Sequence, residues 1–174
     1  MLVQRTIVVD VDSCIGCRTC EVACEEVNNF LPGEAAIRLQ IIGPMPLGGK
    51  LVTTYSPVLC RHCIKAPCKE VCPTQAIERR ADGIVLLVED RCIGCKICMD
   101  ACPFRALSYD SNRDIVVKCN MCVTRVDQGL EPFCVQHCPG GALRFGTVNE
   151  LMNVLQRERE ERVMFALLRD NIRQ

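Results

Sequence analysis

The cysteines of this 174-residue chain fall into four groups with short, regular spacings. Two groups have the spacing C-x2-C-x2-C-x3-C, one has C-x2-C-x4-C-x3-C, and one has C-x2-C-x11-C-x3-C. In chain order the groups are Cys14, Cys17, Cys20 and Cys24; Cys60, Cys63, Cys68 and Cys72; Cys92, Cys95, Cys98 and Cys102; and Cys119, Cys122, Cys134 and Cys138. All 16 cysteines belong to a group, so the pattern constrains nearly the whole length of the chain.

This spacing is that of ligands to cubane iron–sulfur clusters. Three thiolates reach three iron corners of one cubane only if the backbone curls tightly around it, and two intervening residues allow that curl. The fourth cysteine points away, and in two-cluster bacterial ferredoxins it binds the other cluster. The four groups therefore predict four [4Fe–4S] clusters in two pairs, with each group lending its last cysteine to its partner. From the residues alone, it stays open whether the third and fourth groups pair with each other.

Two other uses of cysteine fit less well. Disulfides are rare where thiols are kept reduced, and closely crowded cysteines suit bridges poorly. Zinc prefers two C-x2-C pairs around one tetrahedral ion, whereas the first and third groups place three cysteines within seven residues. A proline follows each of the last three groups, as in cluster-binding runs.

Composition agrees with a chain that is built around clusters. Aromatic residues make up 4% of the sequence and there is no Trp, so clusters should fill much of the interior and the fold should depend on them. The formal charge is zero, but sixteen thiolates and four oxidised cores would bring it to about −8. Such an acidic protein is not expected to bind nucleic acid.

The chain shows an internal repeat and predicts an α+β fold. The segment VVDVDSCIGCRTCEVAC resembles LLVEDRCIGCKICMDAC, and Gly16 and Gly94 stand at matching positions where a positive φ or a close backbone approach is expected. We predict two pseudo-symmetric bacterial-type 2[4Fe–4S] ferredoxin modules with an inserted β-hairpin and a C-terminal helix. The hairpin strands are predicted at 36–42 and 51–55, and a further strand at 84–88.

The C-terminal segment is predicted to form a helical tail. Thr147 is its expected N-cap, with Glu150 completing a capping box. Residues 163–168 (VMFALL) are apolar on nearly every side, which favours contact with another subunit or packing on the body. We therefore divide the chain into a four-cluster domain, residues 1–146, and a tail, residues 147–174, that contacts another subunit.

Neither a secretory signal nor a membrane span is expected, and a cytoplasmic location follows from the reduced thiols. The chain carries no nucleotide-binding glycine loop, nucleophile elbow or HExxH motif, so it is predicted not to be an enzyme itself.

The sequence resembles a known family. The segments CRTCEVACEEVNN, SPVLCRHCIKAPCKEVCPTQAI, VEDRCIGCKICMDACPFRAL and KCNMC…CVQHCPGGAL resemble the four-cluster ferredoxin-like subunits of molybdopterin and tungstopterin oxidoreductases over about residues 5–146. The resemblance implies nested pairing, the first group with the fourth and the second with the third. The implied ligand sets are Cys14, Cys17, Cys20 and Cys138 (cluster 1); Cys24, Cys119, Cys122 and Cys134 (cluster 2); Cys60, Cys63, Cys68 and Cys102 (cluster 3); and Cys72, Cys92, Cys95 and Cys98 (cluster 4).

The resemblance also implies a function and partners. The chain is expected to carry electrons between a catalytic pterin-dependent subunit and an external redox partner such as a flavin or NAD subunit or a ferredoxin. Self-association of the chain could extend the row of clusters from one copy to the next. An aldehyde oxidoreductase is the favoured catalytic partner, followed by formate dehydrogenase. The alternative is a free-standing polyferredoxin, or a ferredoxin linked to hydrogenase or CO dehydrogenase.

Two histidines and several cations lie within or beside the ligand runs. We expect His62 and His137 to lie near the clusters or in solvent rather than to bind iron, since cysteines fill every position. Cations close to a cluster would favour its reduced state and raise its potential, whereas cations that point into solvent would not. The candidates are Arg18, Arg61, Lys65, Lys69, Lys96, Lys118 and Arg125.

Overall fold

The structure is a computed structural model that describes residues 4–172, with side chains described over 4–161 and at 164. It combines α-helices with short β-strands. The strands are β1 Arg5–Val9, β2 Ile37–Leu47, β3 Lys50–Leu59, β4 Ile77–Arg79, β5 Val85–Leu87, β6 Leu107–Asp110, β7 Ile115–Lys118 and β8 Leu143–Thr147. The helices are α1 Thr19–Asn28, α2 Pro67–Glu70, α3 Ile97–Asp100, α4 Val123–Val126, α5 Phe133–Gln136 and α6 Val148–Ile172, with a 3₁₀ turn at Glu89–Arg91.

The described strands form antiparallel pairs rather than one continuous sheet. β2 pairs with β3, β4 with β5 and β6 with β7, each joining neighbours in sequence. β1 instead pairs with β8 from the other end of the domain, with Ile7 opposite Phe145. This long-range pair brings the first cysteine group beside the fourth.

Two buried cores form around the cysteine groups. The first contains Cys20, Cys24 and Cys134, with Ile37 and Leu143 among its buried apolar residues. The second contains Cys68 and Cys98 of the second and third groups, packed with Ile77, Val85 and Val116. A smaller cluster of Ile84, Met121 and Val126 contacts Ile7 and Phe145, which also pack on the first core. The short ribbons thus bury their side chains against cysteine loops, because a two-stranded ribbon is only marginally stable alone.

The predicted hairpin and tail helix are both present. The hairpin strands are longer than predicted and extend from Ile37 to Leu59. The tail helix α6 begins at Val148, directly after the expected N-cap. The Thr147 backbone N–H donates to Glu150 Oε2 at 2.8 Å, and the Glu150 N–H donates to Thr147 Oγ1 at 3.3 Å. The capping box is therefore formed reciprocally.

The first turns of α6 pack back on the domain. Leu151 is buried, and Arg144 of β8 forms an ion pair with Glu158 of α6. Val154, three residues further along the same helix, is exposed. The apolar segment 163–168 lies outside the described side chains except at Met164, which is exposed. Among the described residues, no helix combines the length and the apolar character needed to cross a bilayer.

Candidate functional site

Three small cavities are each lined by four cysteines from two different groups. One is lined by Cys14, Cys17, Cys20 and Cys138, the second by Cys60, Cys63, Cys68 and Cys102, and the third by Cys72, Cys92, Cys95 and Cys98. In each cavity three cysteines of one group meet the last cysteine of another. The remaining lining is mainly apolar, for example Val85, Phe104 and Leu107 in the second cavity.

The remaining four cysteines also lie close together. Burial, and then the thiolates of Cys119, Cys122 and Cys24, raise the pKa of Cys134 far above its usual value. Burial raises the pKa of Cys24 to about 11, with the thiolate of Cys122 also acting on it. Cys24 and Cys134 also lie in the first buried core, against which Cys119 packs. This packing, together with the effect of the Cys122 charge on Cys24 and Cys134, indicates that the four thiols are neighbours.

The donor set fits a polynuclear cluster better than a single ion. All sixteen cysteines are free thiols. Among the described side chains, no three His, Cys, Asp or Glu residues converge tightly enough to hold one metal ion. In each of the three cavities the four cysteines line a common space, which suits ligands to the corners of a cubane. Burial raises the pKa of Cys20 to about 12 and of Cys98 to about 11, so these thiols need bound cations to ionise at neutral pH.

The four ligand loops share one backbone feature. The residue before the second cysteine of each group has a positive φ: 71° at Gly16, 45° at His62, 63° at Gly94 and 59° at Met121. Gly16 and Gly94 were predicted to need this freedom, and the prediction is confirmed. A Cβ on Gly16 would lie 2.6 Å from the Tyr55 ring, so the close neighbour there is an aromatic side chain.

Backbone amides donate to several of the thiol sulfurs. The N–H of His62 donates to Cys60 Sγ at 3.4 Å, and the N–H of Met121 donates to Cys119 Sγ at the same distance. The N–H of Ala76 donates to Cys72 Sγ at 3.2 Å. Such bonds would stabilise thiolates in place and tune a bound cluster.

Exposure separates the loops into two kinds. Cys17 and Cys95 are exposed, as are Ile15 and Ile93 beside them. The equivalent loops of the second and fourth groups instead turn His62 and Met121 into the interior, where each is 1% exposed. The first and third groups therefore face solvent, whereas the second and fourth face the middle of the protein.

A buried polar network lies in that middle region. The N–H of Val85 donates to His62 Nδ1 at 2.9 Å, and Gln4 Nε2 donates to the His62 carbonyl at 3.0 Å. On the other side of Val85, its carbonyl accepts a hydrogen bond from Lys118 Nζ, which also donates to the carbonyl of Cys119 at 2.8 Å. Burial and then the Lys118 charge hold the pKa of His62 well below its usual range. The ring is thus neutral, with its proton on Nε2.

The other candidate residues lie nearer the surface. Of the seven cations named from the sequence, Lys118 alone is buried. Arg61 lies over the Phe104 ring at 3.9 Å and Lys96 over the Tyr109 ring at 3.5 Å. His137 is exposed, in agreement with the prediction. Sequence reasoning missed the role of Val85 as a link, because an apolar residue in a strand carries no signal for backbone contacts to two polar side chains.

Residues 51–148 match the 4Fe-4S dicluster domain. The chain belongs to the 4Fe-4S dicluster domain family. This membership and the sixteen free cysteines confirm the prediction of [4Fe–4S] clusters. At four ligands per cluster, sixteen cysteines are enough for four clusters.

Curated relatives of this protein are subunits of reductases. It is 40% identical over 149 residues to the thiosulfate reductase electron transfer subunit PhsB of Salmonella typhi, covering 84% of this chain and 78% of the relative. It is 35% identical over 162 residues to the B chain of anaerobic dimethyl sulfoxide reductase from Escherichia coli, covering 87% and 77%. It is 37% identical over 148 residues to the B subunit of tetrathionate reductase from Salmonella typhimurium, covering 84% and 59%.

These relatives confirm the predicted resemblance to iron–sulfur subunits rather than catalytic ones. None of the three names an aldehyde oxidoreductase or a formate dehydrogenase, so that preference gains no support from them. Among solved structures, the active site complex BamBC of benzoyl coenzyme A reductase matches at a TM-score of 0.43 and 22% identity over 99% of this chain and 98% of that chain. A similarity this weak assigns nothing further.

Proposed function

We propose that this protein is the electron-transfer subunit of a pterin-dependent reductase complex. The observation that carries the proposal is that twelve of the sixteen cysteines line three cavities, with four cysteines in each. Bound [4Fe–4S] clusters supply one-electron exchange, and the protein sets their spacing, potential and access to solvent. Relatives described as electron-transfer or iron–sulfur subunits support the same role.

The ligand sets are part of the proposal. Cys14, Cys17, Cys20 and Cys138 would hold cluster 1; Cys24, Cys119, Cys122 and Cys134 would hold cluster 2; Cys60, Cys63, Cys68 and Cys102 would hold cluster 3; and Cys72, Cys92, Cys95 and Cys98 would hold cluster 4. Three of these sets line one cavity each, and in the remaining set Cys24, Cys119 and Cys122 all raise the pKa of Cys134, after burial, which supports the nested pairing.

The same sets suggest two ferredoxin modules placed back to back. One module would hold clusters 1 and 2 and the other clusters 3 and 4, in keeping with the two buried cores. Clusters 1 and 4 would lie at the ends, because Cys17 and Cys95 are exposed. Clusters 2 and 3 would meet in the middle, because the Cys60 thiolate contributes to the raised pKa of Cys119, after burial.

The partner is the finer part of the proposal. The reductases named for the relatives favour a molybdopterin catalytic subunit that reduces a sulfur compound or a sulfoxide, ahead of the aldehyde or formate enzymes predicted from the sequence. The hairpin supports a role as a fixed subunit rather than a freely diffusing ferredoxin. Its apolar residues Ile41, Met45, Leu47 and Leu51 are between 46% and 75% exposed, which suits burial against a second chain.

The chain would divide into two parts. Residues 1–146 would form the cluster-binding unit, and residues 147–174 the tail that contacts another subunit. A cytoplasmic location would keep the thiols reduced during cluster insertion.

The test is anaerobic purification of the tagged chain from its native host. We expect a stoichiometric second subunit that contains molybdenum or tungsten. Adding dimethyl sulfoxide, thiosulfate or tetrathionate to the dithionite-reduced complex should restore the visible absorbance of oxidised clusters. Bleaching of the oxidised complex by an aldehyde or by formate would instead assign the partner predicted from the sequence. A chain that purifies alone, with a full complement of iron, would be a free polyferredoxin.

A further inference from the structure

Lys118 is a buried cation without a carboxylate partner among the described residues. It is 5% exposed, and its Nζ donates to the carbonyls of Val85 and Cys119. The ion pairs of the described residues all involve arginine, and none involves Lys118. Burying an ammonium is costly unless negative charge compensates it, and two carbonyl dipoles compensate only part of it.

The missing negative charge lies at the two inner cysteine sets. Val85, one hydrogen-bond partner of Lys118, lines the cavity of Cys60, Cys63, Cys68 and Cys102. Cys119, the other partner, belongs to the set with Cys24, Cys122 and Cys134. The ammonium therefore lies between the cavity of one inner set and the backbone of a cysteine of the other set.

Val85 and His62 hold the ammonium in this position. Val85 belongs to β5 and is 1% exposed, so its carbonyl has little freedom to turn away from Lys118. Its N–H donates to His62 Nδ1 in the loop between Cys60 and Cys63. The two peptide groups of Val85 thus connect the Lys118 side chain with the second ligand loop.

We propose that Lys118 is the shared counter-cation of the two inner clusters and raises the reduction potential of both. This rests on the ligand sets of the proposed function. Reduction adds an electron to a site that is already anionic, so a fixed positive charge nearby stabilises the reduced form more than the oxidised form. Away from water this effect is strong, because the effective dielectric constant is low. The inner pair is thereby held at a higher potential than the same ligands alone would give.

The experiment is an EPR-monitored redox titration of the holo-protein, with iron counted in every sample. In Lys118→Met and Lys118→Gln we expect the one-electron reduction equilibrium of two clusters to fall at least tenfold, which is a shift of about 59 mV to lower potential. The other two clusters should keep the wild-type potential. Glutamine retains an amide donor for the carbonyls, so a shift in this variant reports the lost charge rather than the lost hydrogen bonds.

Lys69→Met is the matched control. Lys69 stands beside Cys68 as Lys118 stands beside Cys119, but Lys69 is exposed and water screens its charge. Its removal should leave all four potentials unchanged. Lys118→Arg keeps the charge, so its cluster potentials should stay near the wild-type values.

Several results would overturn the proposal. Unchanged potentials in Lys118→Gln would show that the charge does not reach the clusters, and an equal shift of all four would make the effect nonspecific. An arginine variant that behaves as the glutamine one would assign the effect to shape. Loss of iron in both the Met and Gln variants, with full iron in Lys69→Met, would make Lys118 a folding residue only. A wild-type chain with far fewer than about sixteen irons would instead refute the four-cluster function itself.

Discussion

The crossed fourth ligand can be tested by removing cysteines in pairs. The structure places Cys102 in the cavity with Cys60, Cys63 and Cys68, and not in the cavity of its sequence neighbours Cys92, Cys95 and Cys98. Under the proposed sets, Cys60→Ala with Cys102→Ala removes two ligands from one site. Cys92→Ala with Cys102→Ala removes one ligand from each of two sites. The two double variants share Cys102→Ala and differ in the second cysteine removed, but they should damage different numbers of clusters.

The expected magnitudes follow from four irons per cluster. Losing two of four ligands should empty one site, so the Cys60/Cys102 double variant should hold about 12 irons and three clusters with wild-type potentials. The Cys92/Cys102 double variant should retain only two unaltered clusters. Each variant removes two half-buried thiols and, with Cys102, the acceptor of the Ala106 N–H at 3.5 Å. Cys60→Ala also removes the acceptor of the His62 N–H at 3.4 Å, so the Cys60→Ala single variant reports that added cost.

The assay is iron analysis together with an EPR-monitored titration that counts clusters at their wild-type potentials. The single variants Cys60→Ala, Cys92→Ala and Cys102→Ala serve as controls, since each should alter one cluster. Coupling within one site makes paired losses non-additive, whereas losses at separate sites add. If the Cys92/Cys102 variant keeps three unaltered clusters and the Cys60/Cys102 variant keeps two, each group holds its own cluster and the proposed sets are wrong.

Three further predictions concern the fold and its tail. Removing iron under reducing conditions should lower the urea midpoint of unfolding, because the fold depends on the clusters, and should lower it more at pH 10 than at pH 7. In the iron-free fold burial raises the pKa of Cys119 from 9.0 to about 12, so its contribution to stability is full below pH ~9 and falls as the pH rises towards 12; equal midpoints at the two pH values would contradict this. Gly94→Ala should lower the urea midpoint of the holo-protein by more than Gly129→Ala. Both residues have a positive φ, which costs an alanine ~1–2 kcal/mol, but only at Gly94 would the new Cβ meet a backbone atom, the Asp114 carbonyl oxygen at 2.5 Å. Equal midpoints would show that the Gly94 loop relaxes. A chain that ends at Gly146 should keep nearly all its iron but elute apart from its complex in size-exclusion chromatography, and full co-purification would show that the tail only packs on its own subunit.

Much of the local structure could be predicted because its causes are local. Cysteines two residues apart force a tight loop, and Gly16 and Gly94 mark where that loop needs a positive φ. Thr147 and Glu150 are three residues apart, so their side chains can reach each other's backbone N–H across the first turn of the helix. The hairpin was predicted for the same reason, although its strands extend further, since strand ends depend on neighbours as well as on sequence.

The sequence by itself thus determined that the chain binds clusters, and the tertiary structure decided which thiols face each other. The spacing left local pairing of the third and fourth groups open, and the β1–β8 ribbon brings the first group to the fourth through a contact between distant segments. Lys69 and Lys118 differ in the same way: each adjoins a cysteine, but only Lys118 ends a strand whose residues are all buried. Burial is a property of the assembled fold. The effect of a charge on a cluster depends on burial through the local dielectric constant, so the residues next to a cysteine do not reveal it.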